Sequence, residues 1–252
     1  MKQFAVVQHT YSEFLGLIET QLEKRDIGFN YQRPFVGQEL PGSASQFDAL
    51  FLLGGKTPTA DRESAPWIED ELRLIGIFQQ AHRPVVGIGF GALLIAEIEG
   101  AQISAEPYHQ AYWTTAHKTQ AGTGDALAEA ADGRRLLVMV NGAAKLPPGL
   151  EPILVDDNGK WLAIRPNKLT YGMLFRPELK PGMIEDMIME AKRQTPSNIA
   201  ELLSEARNQW QGMQQLTEQT VVALVKELDL MVERRKMPIF HLQVAKDAPA
   251  DG

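Results

Sequence analysis

Three short apolar runs, each followed by residues at helical spacing, constrain what the first hundred positions can build. Phe4-Ala5-Val6-Val7 has the length of a buried strand, and Leu15, Ile18 and Leu22 follow at the spacing of one helix face. Thr10-x-x-Glu13 between them has the form of a capping box and predicts the start of that helix. Phe47 to Leu53 is a second buried run, stopped by Gly54-Gly55; Pro66 then opens a helix carrying Ile68, Leu72 and Ile75. Pro84-Val85-Val86-Gly87-Ile88 is the third, passing through Gly89-Phe90-Gly91 into Ala92-Leu93-Leu94-Ile95-Ala96. Strand and helix in strict alternation predict a parallel, flavodoxin-like α/β sheet with helices on both faces.

The pattern changes after Ala101. Turn signals crowd together at Gly122-x-Gly124, Asp132-Gly133, Asn141-Gly142, Pro147-Pro148-Gly149 and Asp157-Asn158-Gly159. Strand candidates lie between them at 136–140, 153–155, 161–164 and 170–175, and read as antiparallel strands added to the same domain rather than a second one. From Pro181 the chain reads as helical. Ile184, Met187, Ile188 and Ala191 mark one helix, Ile199 to Trp210 a second opened by Thr195-Pro196, and Val221 to Val232 a third. The tail 246–252 is small and polar and predicts a frayed end.

Twenty-five Lys and Arg against 32 Asp and Glu leave a net charge of −7. That balance argues against nucleic acid or an anionic membrane surface as a partner. The apolar runs are too short to span a bilayer, and the N-terminus lacks the layout of a signal peptide, so the expected location is cytoplasmic. There is no cysteine, which removes disulfides, thiolate metal ligands and thiol nucleophiles together. The five histidines show no metal-ligand spacing, so neither a metal nor another cofactor is expected.

Three segments in order carry a family resemblance. Leu53-Gly54-Gly55 follows a buried strand; Val85-Val86-Gly87-Ile88-Gly89-Phe90-Gly91-Ala92 has the form of a strand–elbow–helix; Tyr171-Gly172-Met173-Leu174-Phe175-Arg176-Pro177-Glu178 closes the set. With Gln110-Ala111-Tyr112-Trp113 and Leu146-Pro147-Pro148-Gly149 between them, the chain resembles a class I glutamine amidotransferase, above all the amidotransferase half of GMP synthase. The resemblance covers roughly residues 3–194. It implies an amidotransferase-like domain at 1–194, a helical extension at 195–245 and a flexible tail at 246–252.

In that family an elbow thiolate attacks the glutamine amide, a histidine moves protons, and a glutamate orients the histidine. Carried over by the motifs, these positions fall on Gly89, Arg176 and Glu178. Only the glutamate is present. Glycine has nothing to attack with, and an arginine stays protonated and cannot act as a base. Removing the nucleophile of a comparable hydrolase costs about 10⁶ in turnover. The family's Gly-Gly-Pro reads Gly54-Gly55-Lys56 here, Leu93 stands where its glutamine follows the elbow, and Val140-Asn141-Gly142 keeps neither residue of its H-x-D.

Two functions follow from the resemblance. One is a non-catalytic homologue acting as a binding, regulatory or scaffolding subunit; the alternative is a surviving glutaminase that supplies ammonia to a synthetase. Arg176 has two readings as well. It can form an internal ion pair with Glu178, or it can face the N–H groups of Phe90 and Gly91 and hold a small anionic ligand, with Gly55 and Lys56 at the rim. The apolar content of 197–235 exceeds what one sheet face is expected to cover, so a homo-oligomer or protein partner is expected to dock there.

Overall fold

The structure, a computed structural model, describes residues 1–56, 61–104, 109–191 and 197–231. In chain order it forms β1 (Lys2–Val7), α1 (Leu17–Glu23), β2 (Ile27–Gln32), β3 (Ala49–Leu52), α2 (Ile68–Gln80), β4 (Val85–Ile88) and α3 (Phe90–Ile98). The middle supplies β5 (Gln102–Ile103), β6 (His109–Thr115), β7 (His117–Lys118), α4 (Ala126–Ala131), β8 (Arg135–Asn141) and β9 (Ala144–Lys145). Then come β10 (Pro152–Val155), β11 (Trp161–Asn167), β12 (Thr170–Met173), α5 (Pro181–Ala191), α6 (Ile199–Asn208) and α7 (Trp210–Glu227).

The main sheet runs β2-β1-β3-β4-β12-β11-β10-β7. From β2 to β12 neighbouring strands pair in parallel, and β11, β10 and β7 extend the sheet antiparallel. This is the expected mostly parallel α/β sheet, with one change. β12 was expected among the antiparallel additions, yet it pairs in parallel with β4 (Tyr171 opposite Val86) and is itself central. Its four residues are all buried, as a strand covered on both faces requires.

Side chains on the two faces form separate cores. Phe4, Val6, Phe51, Val86, Tyr171 and Met173 face one layer, with Ile18 and Leu22 of α1, Leu127 of α4 and Leu224 of α7. Ala5, Leu50, Leu52 and Val85 face the other, under Ile68, Ile75 and Phe78 of α2. Helix α3 is buried from Phe90 through Ala96 and feeds both cores, as an all-apolar helix must. A smaller cluster joins Leu137 and Met139 of β8 to Ile184 of α5, Leu202 and Ala206 of α6, and Met213 of α7.

Four readings need correction. The capping-box bond exists, Glu13 N–H donating to Thr10 Oγ1 at 3.1 Å, but no helix follows until Leu17. The intervening turn is drawn instead toward the loop after β12, where the Leu17 N–H donates to the Glu178 carbonyl at 2.9 Å. Trp210 opens α7 rather than ending α6, with Gln209 between the two helices. Helix α7 stops at Glu227 rather than running to 232, because Asp229 turns left-handed (φ 49°) and the Leu230 N–H closes back on the Val225 carbonyl. Finally, the apolar residues expected to form an interface at 197–235 are largely spent inside the chain. Leu216, Val221, Ala223, Leu224, Leu228 and Leu230 are buried on the layer that holds α1 and α4, and only Val222 and Met231 are large, apolar and exposed among the described residues there. Thr195-Pro196, Val232 and the tail 246–252 lie outside the described residues.

Candidate functional site

Open parallel sheets form their crevices at the carboxyl ends of the strands. Here His9 follows β1, Gly54 and Gly55 follow β3, Gly89 follows β4, and Arg176 and Glu178 follow β12. The topology therefore gathers the three motif segments at one rim, and adds a histidine that motif matching did not select.

Gly89 makes the turn from β4 into α3 with φ 57° and ψ −109°, a conformation that strains any residue with a side chain. Its N–H donates to the Met173 carbonyl at 2.7 Å, which ties the elbow to β12. A Cβ at Gly89 would stand 3.1 Å from Arg176 Cδ. Gly54 approaches the same arginine from β3: a Cβ there would lie 2.3 Å from Nη2. The guanidinium thus occupies a slot that both glycines leave open.

Arg176 is turned inward and its side chain is 1% exposed. Nε donates to Glu178 Oε1 at 2.6 Å, Nη2 to Glu13 Oε1 at 2.9 Å and Nη1 to the Met139 carbonyl at 3.0 Å. Burial alone would depress its pKa, but the charges of Glu178 and Glu13 outweigh it and hold the group above the ordinary arginine value. Burial pushes the Glu178 carboxyl up, against the pull of Arg176. Glu178 Oε2 is buried with no hydrogen-bond partner among the described residues, which agrees with a carboxyl reluctant to ionise.

The acceptors around the guanidinium belong to the protein itself. Each guanidinium nitrogen already has a protein acceptor, and the Gly91 N–H donates to the Leu53 carbonyl at 3.2 Å rather than into a cradle. Gly55 backs onto His9 and Phe90. Lys56 points away, its Nζ 3.5 Å from Glu190 Oε1, while its carbonyl accepts from Asn141 Nδ2 at 2.6 Å. Glu190 also accepts from the Ser12 hydroxyl and N–H. These bonds and Lys56 keep its pKa below the usual range despite partial burial. Gly89, Arg176 and Glu178 therefore come together, and Phe90, Gly91, Gly55 and Lys56 border them.

His9 and Glu71 form the second buried pair. His9 Nε2 lies 2.9 Å from Glu71 Oε2, Nδ1 lies 2.8 Å from the Gly54 carbonyl, and the ring is stacked on Trp67 at 5.4 Å. Phe90 meets it edge-on at 4.7 Å. Both ring nitrogens face acceptors, so the imidazolium satisfies both. Burial opposes that charge, but Glu71, the Gly54 carbonyl and Glu13 overcome it and raise the pKa above 6.5. The pair could have been found in the sequence: His9 follows an apolar strand directly, and Glu71 interrupts the buried stripe Ile68, Ile75, Phe78 of α2. Among the described residues, no group of three or more histidine or acidic side chains is arranged to hold a metal, and no helix is long and apolar enough to cross a membrane.

An elbow glycine thus precedes a buried helix, with an arginine and a glutamate at its side. No protein-family model matches the chain. A segment of 104 residues, 40% of the chain, is 34% identical to YfeJ of Salmonella typhimurium, described as a glutamine amidotransferase-like protein, and spans 44% of that relative. Solved structures agree along nearly the whole chain. A glutamine amidotransferase from Methylobacillus flagellatus superposes with a TM-score of 0.77 at 20% identity over 96% of this chain and 99% of its own. One from Thermotoga maritima gives 0.74 at 18% identity over 90% and 98%. The chain has the glutamine amidotransferase fold, and over that 104-residue segment it is similar to a glutamine amidotransferase-like protein.

Proposed function

We propose that this glutamine amidotransferase-like protein does not hydrolyse glutamine and serves as a binding, regulatory or scaffolding subunit. One observation carries the reading: the elbow residue is Gly89, and the neighbouring place of the proton-transfer group is filled by Arg176, fixed between Glu178 and Glu13. With no cysteine in the chain, no thiolate can be supplied from elsewhere in it. The internal ion pair, rather than a bound anion, is the role of Arg176 in this reading. A protein partner is part of it. Its support lies in exposed apolar groups: Tyr11, packed edge-on against Phe35 at 5.0 Å, Val36 beside it, and Met189 next to the Ser12-bound Glu190.

Ammonia release from glutamine tests the reading. The wild-type chain should match a Glu178→Ala control, and Gly89→Cys alone should stay inactive because Arg176 can neither take nor return a proton. Gly89→Cys with Arg176→His restores nucleophile, base and orienter together, and is the variant expected to release any ammonia. Clear release by the wild type above the control would restore the glutaminase reading, with a synthetase as the recipient. Light scattering and pulldown on the full chain test the partner; a monomer that captures nothing would remove scaffolding from the proposal.

A further inference from the structure

A cavity of about 490 Å³ is lined by β6, the segment around β9 and the β10–β11 hairpin. None of Gly55, Gly89, Phe90 or Arg176 lines it. Its volume is that of a small-molecule site.

We propose that this cavity binds a planar ring anion: a ring of nucleobase or indole size bearing an N–H donor and an attached phosphate or carboxylate. Two aromatic side chains are fixed by their polar ends. Trp161 Nε1 donates to the Ala144 carbonyl at 2.9 Å, and the Tyr112 hydroxyl donates to Asp156 Oδ2 at 3.1 Å. Rings held this way lose little freedom when they stack on a ligand. Leu174, 5% exposed, adds an apolar surface.

Gln110 supplies the polar element. It is 8% exposed, and its Nε2 donates to the Gly142 carbonyl at 3.0 Å, which fixes the amide; Oε1 accepts nothing among the described residues. Held in place by the amide's other bond, Oε1 is open to a donor from the ligand. At the mouth stand Lys145 and Lys160, both exposed and neither ion-paired among the described residues. In a chain of net charge −7, two unpaired cations beside an aromatic cavity select a negative group on the ligand.

The test uses the full chain, AMP and indole-3-acetate as ring anions, and adenosine and orthophosphate as their separated parts. Binding is read from the Trp161 indole N–H resonance. At least one ring anion is expected to shift that resonance at millimolar concentration, with adenosine and orthophosphate weaker; the stronger of the two distinguishes a nucleotide from an aromatic carboxylate. Lys145→Ala and Lys160→Ala should each weaken binding by up to about fivefold, the scale of an exposed ion pair. Gln110→Leu should weaken it further. No shift with either ring anion would overturn the proposal. So would equal affinity for adenosine and AMP when indole-3-acetate does not bind, or binding unchanged in the double lysine variant, whose exposed positions leave the fold intact.

Discussion

Arg176 Cδ lies 3.1 Å from the point where a Cβ on Gly89 would stand, so the elbow and the arginine share one space. The two positions are coupled in both directions. A side chain at 89 presses on the guanidinium, and the guanidinium, held by two glutamates, has nowhere to retreat.

Gly89→Ala is therefore expected to destabilise the protein by about 1–3 kcal/mol, from the φ of 57° and from that contact. Denaturant unfolding of Gly89→Ala alone and combined with Arg176→Ala checks it. The strain of the elbow should persist in the pair, while the contact should vanish, so the two costs should sum to less than additive.

Arg176→Met should cost about 3–5 kcal/mol, because it leaves Glu178 and Glu13 buried without their cation. Glu178→Gln should cost less, about 1–3 kcal/mol: its Oε1 still accepts from Arg176 and Glu13 keeps its charge, but the amide N–H groups enter the place where Oε2 has no partner. Equal losses in the two variants would show that the guanidinium is not held by charge.

Added glutamate, phosphate or sulfate should produce no thermal shift that depends on Arg176, since an anion at the elbow must first break the bond to Glu13 or Glu178. A shift abolished by Arg176→Ala would return the arginine to ligand binding.

His9 sets a pH dependence with a definite sign. Its folded pKa is raised above the unfolded 6.5, so the folded state holds the proton more tightly. The stabilisation is complete below pH 6.5 and is lost as pH rises through the folded value. Glu178, also raised, acts in the same direction at lower pH. Melting temperature should therefore fall on the alkaline side, and His9→Gln should flatten that part of the profile. A profile unchanged by His9→Gln would mean that the imidazole is neutral.

Tyr171 and Arg165 share the Asp125 carboxylate, at 2.5 and 2.7 Å, while Asp125 caps α4 through the N–H groups of Leu127 and Ala128. Arg165 also reaches Glu227 at the end of α7. Tyr171→Phe should cost about 1 kcal/mol and Asp125→Ala about 3 kcal/mol, the latter losing cap and pairs together. Calorimetry on both variants measures the difference.

The parallel half of the fold was legible because β1, β3 and β4 are continuous apolar runs closed by polar or glycine turns, and the elbow announces itself through Gly87, Gly89 and Gly91. Five strands were not: β5, β7 and β9 are only two residues long, and β2 and β6 lack a clear pattern. β2 carries Gly28 and Asn30 at an exposed edge, and the buried face of β6 includes Gln110 and Thr114, so neither shows a clean period of two. At the site, Gly89, Arg176 and Glu178 were readable from motif order. Glu13 was read as a helix cap, since nothing local reveals that its other carboxylate oxygen reaches Arg176, 163 positions later. His9 and Glu71 lie 62 residues apart and meet only once the sheet has brought β1 beside α2.

Helix α1 completes its cover only when α7 arrives, about 190 residues later in the chain. At roughly 5–20 residues per second of synthesis, the Ile18 and Leu22 face waits on the order of ten to forty seconds for its final neighbour. Over that interval the nascent sheet carries one finished layer, under α2 and α3, and one open one. Chaperone demand should accordingly concentrate on the α1 side, and a chain shortened before α7 would keep that demand permanently.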